Sequence, residues 1–136
     1  MLDTKKPYIL DSFALVAYFL GESAGKKVEK LLKQLKQKQQ KALLPEINLG
    51  EIYYTLYRRL GQLAAEEVVE TIGELPIQTV QISQELILKA AKIKATKPIS
   101  FADAFVVALA KEKNGLVVTH DPEFETVKDE IEIIWL

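Results

Sequence analysis

Apolar and polar positions fall along this chain in two alternating rhythms. Short apolar runs of strand length stand at Tyr8–Asp11, Ala42–Leu44, Ile77–Ile82, Leu116–Thr119 and Glu132–Trp135. Between them the apolar residues recur at helical spacing. Ser12–Leu20 reads as an apolar helix stopped by Gly21. A second helix starts with Ser23 as N-cap and runs to about Gln40, burying a stripe of Val28, Leu31, Leu32 and Leu35. Pro45 ends the second strand. Glu46–Leu60 follows as a helix whose apolar face is Leu49, Ile52, Tyr53, Leu56 and Leu60, with Gly61 as its stop. Leu63–Leu75 is a helix closed by Pro76, and Ser83 caps another through about Ala95. Ser100 opens a helix from Phe101 to Asn114, and Pro122–Lys128 is a short helix or turn.

The order β-α-α-β-α-α-β-α-α-β-α-β predicts an α/β fold, a parallel sheet with helices on both faces. Connections are short and no Gly/Ser/Pro-rich linker appears, so residues 1–136 are expected to form a single domain.

Charge narrows the function classes. Eighteen Lys and Arg against nineteen Asp and Glu leave a net charge of −1, which excludes a strongly basic, histone-like binder. Absence of cysteine removes disulfides, zinc-thiolate sites and a cysteine nucleophile, and a single histidine, His120, cannot build a His-rich metal site. The apolar run Tyr8–Leu20 is interrupted by Asp11 and Ser12 and is shorter than the roughly 20 residues of a membrane span. No membrane association is expected, and a cytoplasmic location is.

Of the five aspartates, three occupy special places. Asp11 and Asp121 each follow an apolar strand and so stand at its carboxyl end. Asp103 lies in the first turn of a helix, Phe101–Ala110, that is apolar on nearly every side and is therefore buried. Taken singly, each has a plain reading: Asp11 as N-cap, Asp103 as half of a Ser100 capping box, Asp121-Pro122 as a turn. One topology, however, carries all three to one edge, where open α/β sheets bind ligands. Glu51, with Asn48 and Thr55 on the same helical face, reads alone as a solvated surface. It joins the group because its helix begins directly after a strand. Four carboxylates without sulfur or imidazole select a hard cation, Mg2+ or Mn2+. Such an ion supports metal-dependent hydrolysis of a phosphodiester.

The segments Tyr8-Ile-Leu-Asp-Ser-Phe-Ala-Leu-Val-Ala-Tyr-Phe, Asn48-Leu-Gly-Glu-Ile, Ser100-Phe-Ala-Asp-Ala-Phe-Val-Val-Ala-Leu-Ala and Val117-Val-Thr-His-Asp-Pro-Glu-Phe, in this order, carry a resemblance. The chain resembles the PIN (PilT N-terminus) domain nucleases, most closely the VapC-type toxins of toxin–antitoxin pairs, over essentially its whole length. That resemblance implies a three-layer α/β/α fold with strand order 3-2-1-4-5 and a magnesium- or manganese-dependent endoribonuclease leaving a 5′-phosphate and a 3′-hydroxyl. It implies Asp11, Glu51, Asp103 and Asp121 as catalytic metal-binding acids, with Ser12, Thr119 and Asn48 supporting them. It also implies a homodimer and a cognate antitoxin. His120 departs from the family pattern and is read as a surface accident.

The lysine-rich second helix, notably Lys26, Lys30 and Lys33, together with Arg58 and Arg59, offers an RNA-contacting surface; a solvated basic face explains the lysines equally. Tyr54 and Tyr57 suit a dimer or antitoxin groove. The competing readings are a non-catalytic PIN-like module that binds RNA or a partner, and a phosphoacceptor receiver domain. The latter lacks a second acid after strand one and a lysine after the last strand.

Overall fold

A computed structural model of the chain describes residues 5–136, so Asp3 lies outside the described residues. The strands β1 (Tyr8–Leu10), β2 (Ala42–Pro45), β3 (Ile77–Val80), β4 (Leu116–Thr119) and β5 (Glu132–Trp135) form one sheet of order β3-β2-β1-β4-β5. Every pairing is parallel. The helices are α1 (Ser12–Phe19), α2 (Ser23–Gln37), α3 (Glu46–Leu60), α4 (Gln62–Glu74), α5 (Gln84–Thr96) and α6 (Phe101–Lys113), with a 3-10 helix at Pro122–Val127. The strand order implied by the family resemblance is the one observed.

Side chains alternate across the central strands, and this builds two cores. Tyr8 and Leu10 of β1 and Val118 of β4 pack with Leu15, Leu32, Leu35, Ile52, Leu56 and Ile72 of α1–α4. Ile9 and Val117 point the other way, onto Leu86, Ala90, Phe105, Val106 and Leu109 of α5 and α6. The apolar circumference of α6 is explained by its position: Asp103 to Ala110 are all buried.

Element ends differ from the sequence expectation in ways that have local causes. Ser23 is the first residue of α2, and Glu22 takes the N-cap position without a side-chain cap bond. The third strand stops at Val80, whose register partner is Pro45, the last residue of β2. Beyond it β2 turns into α3, so the edge strand has nothing left to pair with. Leu60 closes the apolar face of α3 in sequence but is 52% exposed, next to the more exposed Leu63.

β1 is the topological pivot. Chain order runs from β1 to β2 and β3 on one side, and β4 and β5 lie on the other. A crevice therefore opens at the carboxyl ends of β1 and β4.

Helices α1 and α2 approach closely at Gly25. A Cβ placed there would sit 2.3 Å from the Ala17 carbonyl oxygen and 2.6 Å from the Tyr18 Cα. Backbone atoms cannot yield as a flexible side chain would. Gly25→Ala is therefore expected to destabilise the fold by roughly 1–3 kcal/mol. Gly50→Ala, in α3 with nothing within 4 Å of the new Cβ, is expected to add roughly 0.5–1 kcal/mol through helix propensity. Thermal melts of the two variants followed by circular dichroism check both signs.

Candidate functional site

Leu10 of β1 pairs in register with Val118 of β4, so the next residues, Asp11 and Thr119, leave the sheet side by side. Both are fully buried. Asp11 is the N-cap of α1, accepting the Ala14 N–H on Oδ1 at 2.8 Å. Its other oxygen, Oδ2, accepts the Thr119 hydroxyl at 2.5 Å. The same Thr119 oxygen accepts the Asp121 N–H at 2.9 Å. Asp121 then caps the 3-10 helix by accepting the Glu123 N–H at 2.9 Å, with Pro122 at the first helical position.

Asp103 arrives from α6. Ser100 caps that helix by accepting the Asp103 N–H at 3.2 Å. The reciprocal half of the capping box comes from another element: Glu123 Oε1 accepts the Ser100 N–H at 2.7 Å. Glu123 thus locks the start of α6 to the end of β4, and the Asp103 carboxylate is not needed for the cap.

α3 supplies a third wall. Asn48 is fully buried and donates from Nδ2 to Ser12 Oγ at 3.0 Å, while Ser12 Oγ donates to the Asn48 carbonyl at 3.3 Å. This ties α3 to the start of α1. Among the described residues, Asn48 Oδ1 is a buried side-chain oxygen without a hydrogen-bond partner in the protein. Glu51, Thr55 and Arg59 follow at four-residue intervals on the same α3 face. All three line a cleft of about 390 Å³ together with Ser12, Phe13, Glu22, Ser100, Asp103, Asp121 and Glu123.

Ligand oxygens of Asp103, Asp121 and Glu123 lie within 4.8 Å of one another. Five acids line the cleft, with Arg59 as a cation among the lining residues. Electrostatics follow from this crowding. Burial, then the hydrogen bond with Glu123, then the charges of Asp11, Asp121 and Glu123 push the Asp103 carboxyl up to about 9. Burial also raises Asp11, to about 7, against the hydrogen bonds from Thr119 and Ala14 that favour its charged form; Asp121 and Glu51 add repulsion. A divalent cation reverses this balance. The donor set fits one: all oxygens, clustered and in excess of the neighbouring positive charge.

The expected residues are distributed as follows. Asp103 and Asp121 share the oxygen cluster, Glu51 is on the cleft wall from α3, and Asp11 stands directly behind, within reach of their charges. Ser12, Thr119 and Asn48 are buried and bonded around Asp11 and α3. Asn48 is therefore an interior strut, although its spacing with Glu51 and Thr55 reads as a surface stripe. Arg59 lines the cleft; Arg58 lies 5.0 Å over the Tyr54 ring instead. Lys26, Lys30 and Lys33 are exposed on α2 outside the cleft lining, and Lys33 pairs with Glu29 at 3.0 Å. Two acids escaped the sequence reading, Glu123 and Glu22. For Glu123 a signal existed: an Asp-Pro N-cap at a strand's carboxyl end places the following glutamate in the first turn, facing the same crevice.

Carboxylates raised above their unfolded value favour the folded state when protonated. From about pH 4 towards pH 9 the unfolded chain binds fewer protons at Asp11 and Asp103 than the native one, so their contribution to stability falls as pH rises. In EDTA, Asp103→Asn is therefore expected to melt higher than the parent at pH 8, by about 2–8 °C for each kcal/mol relieved, and to narrow that gap at pH 5. Added Mn2+ is expected to raise the parent's melting temperature and leave the variant's nearly unmoved. Differential scanning fluorimetry at the two pH values measures both.

Comparison with known proteins places this arrangement. VapC20 of Mycobacterium tuberculosis, described as a sarcin-ricin loop cleaving toxin, superposes with a TM-score of 0.71 at 18% identity, covering 87% of this chain and 92% of that one. DNA-bound VapBC of Salmonella typhimurium gives a TM-score of 0.75 at 17% identity, covering 95% and 97%. FitAcB of Neisseria gonorrhoeae gives 0.65 at 18% identity, covering 93% and 96%. At these identities the likeness is one of fold. No curated protein matches the sequence significantly. The PIN domain family profile matches residues 8–130, nearly the full length of the sheet and its helices, and the chain belongs to the PIN domain family.

Proposed function

We propose that this chain is a magnesium- or manganese-dependent endoribonuclease acting as the toxin of a type II toxin–antitoxin pair. The observation that carries the reading is the cluster of Asp103, Asp121 and Glu123 oxygens within 4.8 Å at the pivot of the sheet. Asp11 buried beside it and membership in the PIN domain family add support.

Asp103, Asp121 and Glu123 would hold the cation, with Asp11 next to them. When bound, such an ion lowers the pKa of a coordinated water and neutralises charge that builds on phosphate oxygens. The chain's own residues do the rest. Thr119 fixes Asp11 and Asp121 through one hydroxyl, so the two strand ends cannot drift apart. Glu51 faces the cleft from α3 and accepts a hydrogen bond from the attacking water. Arg59 brings a planar, permanent cation into the same cleft and grips a non-bridging phosphate oxygen. The expected products carry a 5′-phosphate and a 3′-hydroxyl.

The toxin assignment draws on neighbours of the same fold that are toxins or toxin–antitoxin complexes. It also draws on apolar surface: Tyr57, Leu60 and Leu63, at the α3–α4 junction, are 43%, 52% and 73% exposed. Exposed apolar side chains this close in sequence suit a protein partner, a second copy or an antitoxin segment. Among the described residues no helix is long and apolar enough to cross a membrane.

Single-stranded RNA incubated with the protein is expected to be cut in Mg2+ or Mn2+ and spared in EDTA. Asp103→Asn is expected to lower kcat on the order of a hundredfold or more. Cleavage that persists in EDTA, or in Asp103→Asn, overturns the metal-dependent reading. RNA binding without cleavage under all metals points to the non-catalytic module. Arg59→Ala is expected to lower kcat/KM about tenfold or more, with Arg59→Lys intermediate because the fork geometry is lost while the charge stays. Initial rates on a fluorescent oligonucleotide measure these effects.

A further inference from the structure

Phe13 is out of keeping with its helix. Its neighbours Ser12, Ala14, Leu15 and Ala17 are buried, yet Phe13 is 42% exposed. It follows the Asp11-Ser12 pair directly and lines the cleft that holds Asp103, Asp121 and Glu123. Across from it stands His120, also exposed and adjacent in sequence to Asp121. The two rings are 5.6 Å apart between centroids and tilted by 46°. His120 is held in place from its other side: Nδ1 lies 3.1 Å from the Leu136 carbonyl. A carbonyl only accepts, so this nitrogen carries the proton and donates.

These facts describe a pair of aromatic rings at an acidic cleft: Phe13 lines it from the start of α1, and His120 stands against Phe13, bonded to Leu136 just after the last strand. The rings are tilted, not stacked face to face, and both residues are exposed. Such an arrangement contributes little to the core. It presents flat apolar area on the cleft that Asp103, Asp121 and Glu123 line, with Phe13 two residues after Asp11 and His120 next to Asp121 in the chain. We propose that Phe13 and His120 form a stacking platform for an unpaired nucleobase flanking the phosphodiester in the cleft. Base–aromatic stacking tolerates any sequence because every base has a π-face. It requires the base to be unpaired, so the platform selects single-stranded or looped RNA over duplex. The identification of the ligand as RNA rests on the nuclease reading; the platform itself rests on the ring geometry.

The test separates the two. Binding of a short single-stranded RNA is measured by fluorescence anisotropy in the Glu51→Gln background with Mg2+, which keeps Asp103, Asp121 and Glu123 intact, and cleavage in the otherwise unaltered protein. Phe13→Leu keeps bulk and apolarity and removes the π-face. It is expected to weaken binding on the order of tenfold or more, with Phe13→Trp retaining it. His120→Ala is expected to weaken binding less than Phe13→Leu. An abasic scan of the RNA supplies a readout that a structural role would not move. One abasic position is expected to weaken binding to the Phe13 protein and to have no further effect on Phe13→Leu. Leu88→Ala, an exposed apolar change on α5, is expected to leave binding unaltered.

Unchanged affinity in Phe13→Leu with no coupled abasic position overturns the platform, whether or not RNA is cut. Weakened self-association in Phe13→Leu with RNA affinity intact also overturns it, and assigns the rings to a protein interface. If the unaltered protein cuts no RNA but the coupled abasic position is found, the nuclease reading fails and the platform stands.

Discussion

Repulsion among carboxylates is the force that this fold has to contain. Two unit charges about 4 Å apart repel by about 4 kcal/mol at an effective dielectric of 20, a large share of a small domain's net stability. Here the oxygens of Asp103, Asp121 and Glu123 lie within 4.8 Å of each other, with buried Asp11 behind them. What holds them is a set of hydrogen bonds within the protein itself. Thr119 is the hub: its hydroxyl donates to Asp11 and accepts from the Asp121 amide. Glu123 completes the Ser100 cap, which fixes α6 and therefore Asp103. Each acid is thus placed by a cap or turn that the backbone needs anyway.

The parallel sheet makes this placement economical. Because β1 is central and the chain departs from it to both sides, the carboxyl ends of β1 and β4 open into one crevice with helix N-termini on its rim. Helix N-termini favour negative charge, so α1 and α6 each offset part of the repulsion among the acids that they carry. Burial first, and the remaining repulsion after it, keep Asp11 and Asp103 from ionising as freely as exposed carboxylates do. Buried, clustered acids that cost stability are the usual trade between a working site and a comfortable one.

Much of the fold was legible in the sequence because two periodicities were clean. The strands are short and apolar, the helices striped, and the stops at Gly21, Gly61, Pro76 and Gly115 fall where elements end. The acids at strand ends were legible for the same reason: Asp11 and Asp121 directly follow apolar runs. What sequence could not show was which polar residues turn inward. Asn48 shares a spacing with Glu51 and Thr55 that looks like a solvated stripe, yet it is buried because α3 leans on Ser12 of α1. Arg58 and Arg59 are adjacent and look equivalent; a rotation of roughly 100° per helical residue sends one over Tyr54 and the other into the cleft. Glu123 was hidden because its partner, the Ser100 amide, is 23 residues away in sequence and near only once β4 runs back along α6.

The same geometry limits where selectivity can reside. An acidic floor reads a phosphodiester, and phosphodiesters are alike at every step of a strand. Choice of substrate has to come from groups that touch something other than phosphate, or that accept only one shape of strand. The cleft offers few of these. Under the proposed reading, Glu22, Glu51 and the oxygen cluster would repel a phosphate backbone in the absence of a cation, and Arg59 would attract it without regard to sequence. The aromatic pair of Phe13, on the wall, and His120 beside it differs in chemistry, since its rings offer flat faces on which a base would stack. A stacking rim discriminates by whether a base is available, not by which base it is. Under the proposed nuclease reading, the shape of the RNA around the scissile bond would matter more than its letters, and loops would be better substrates than helices.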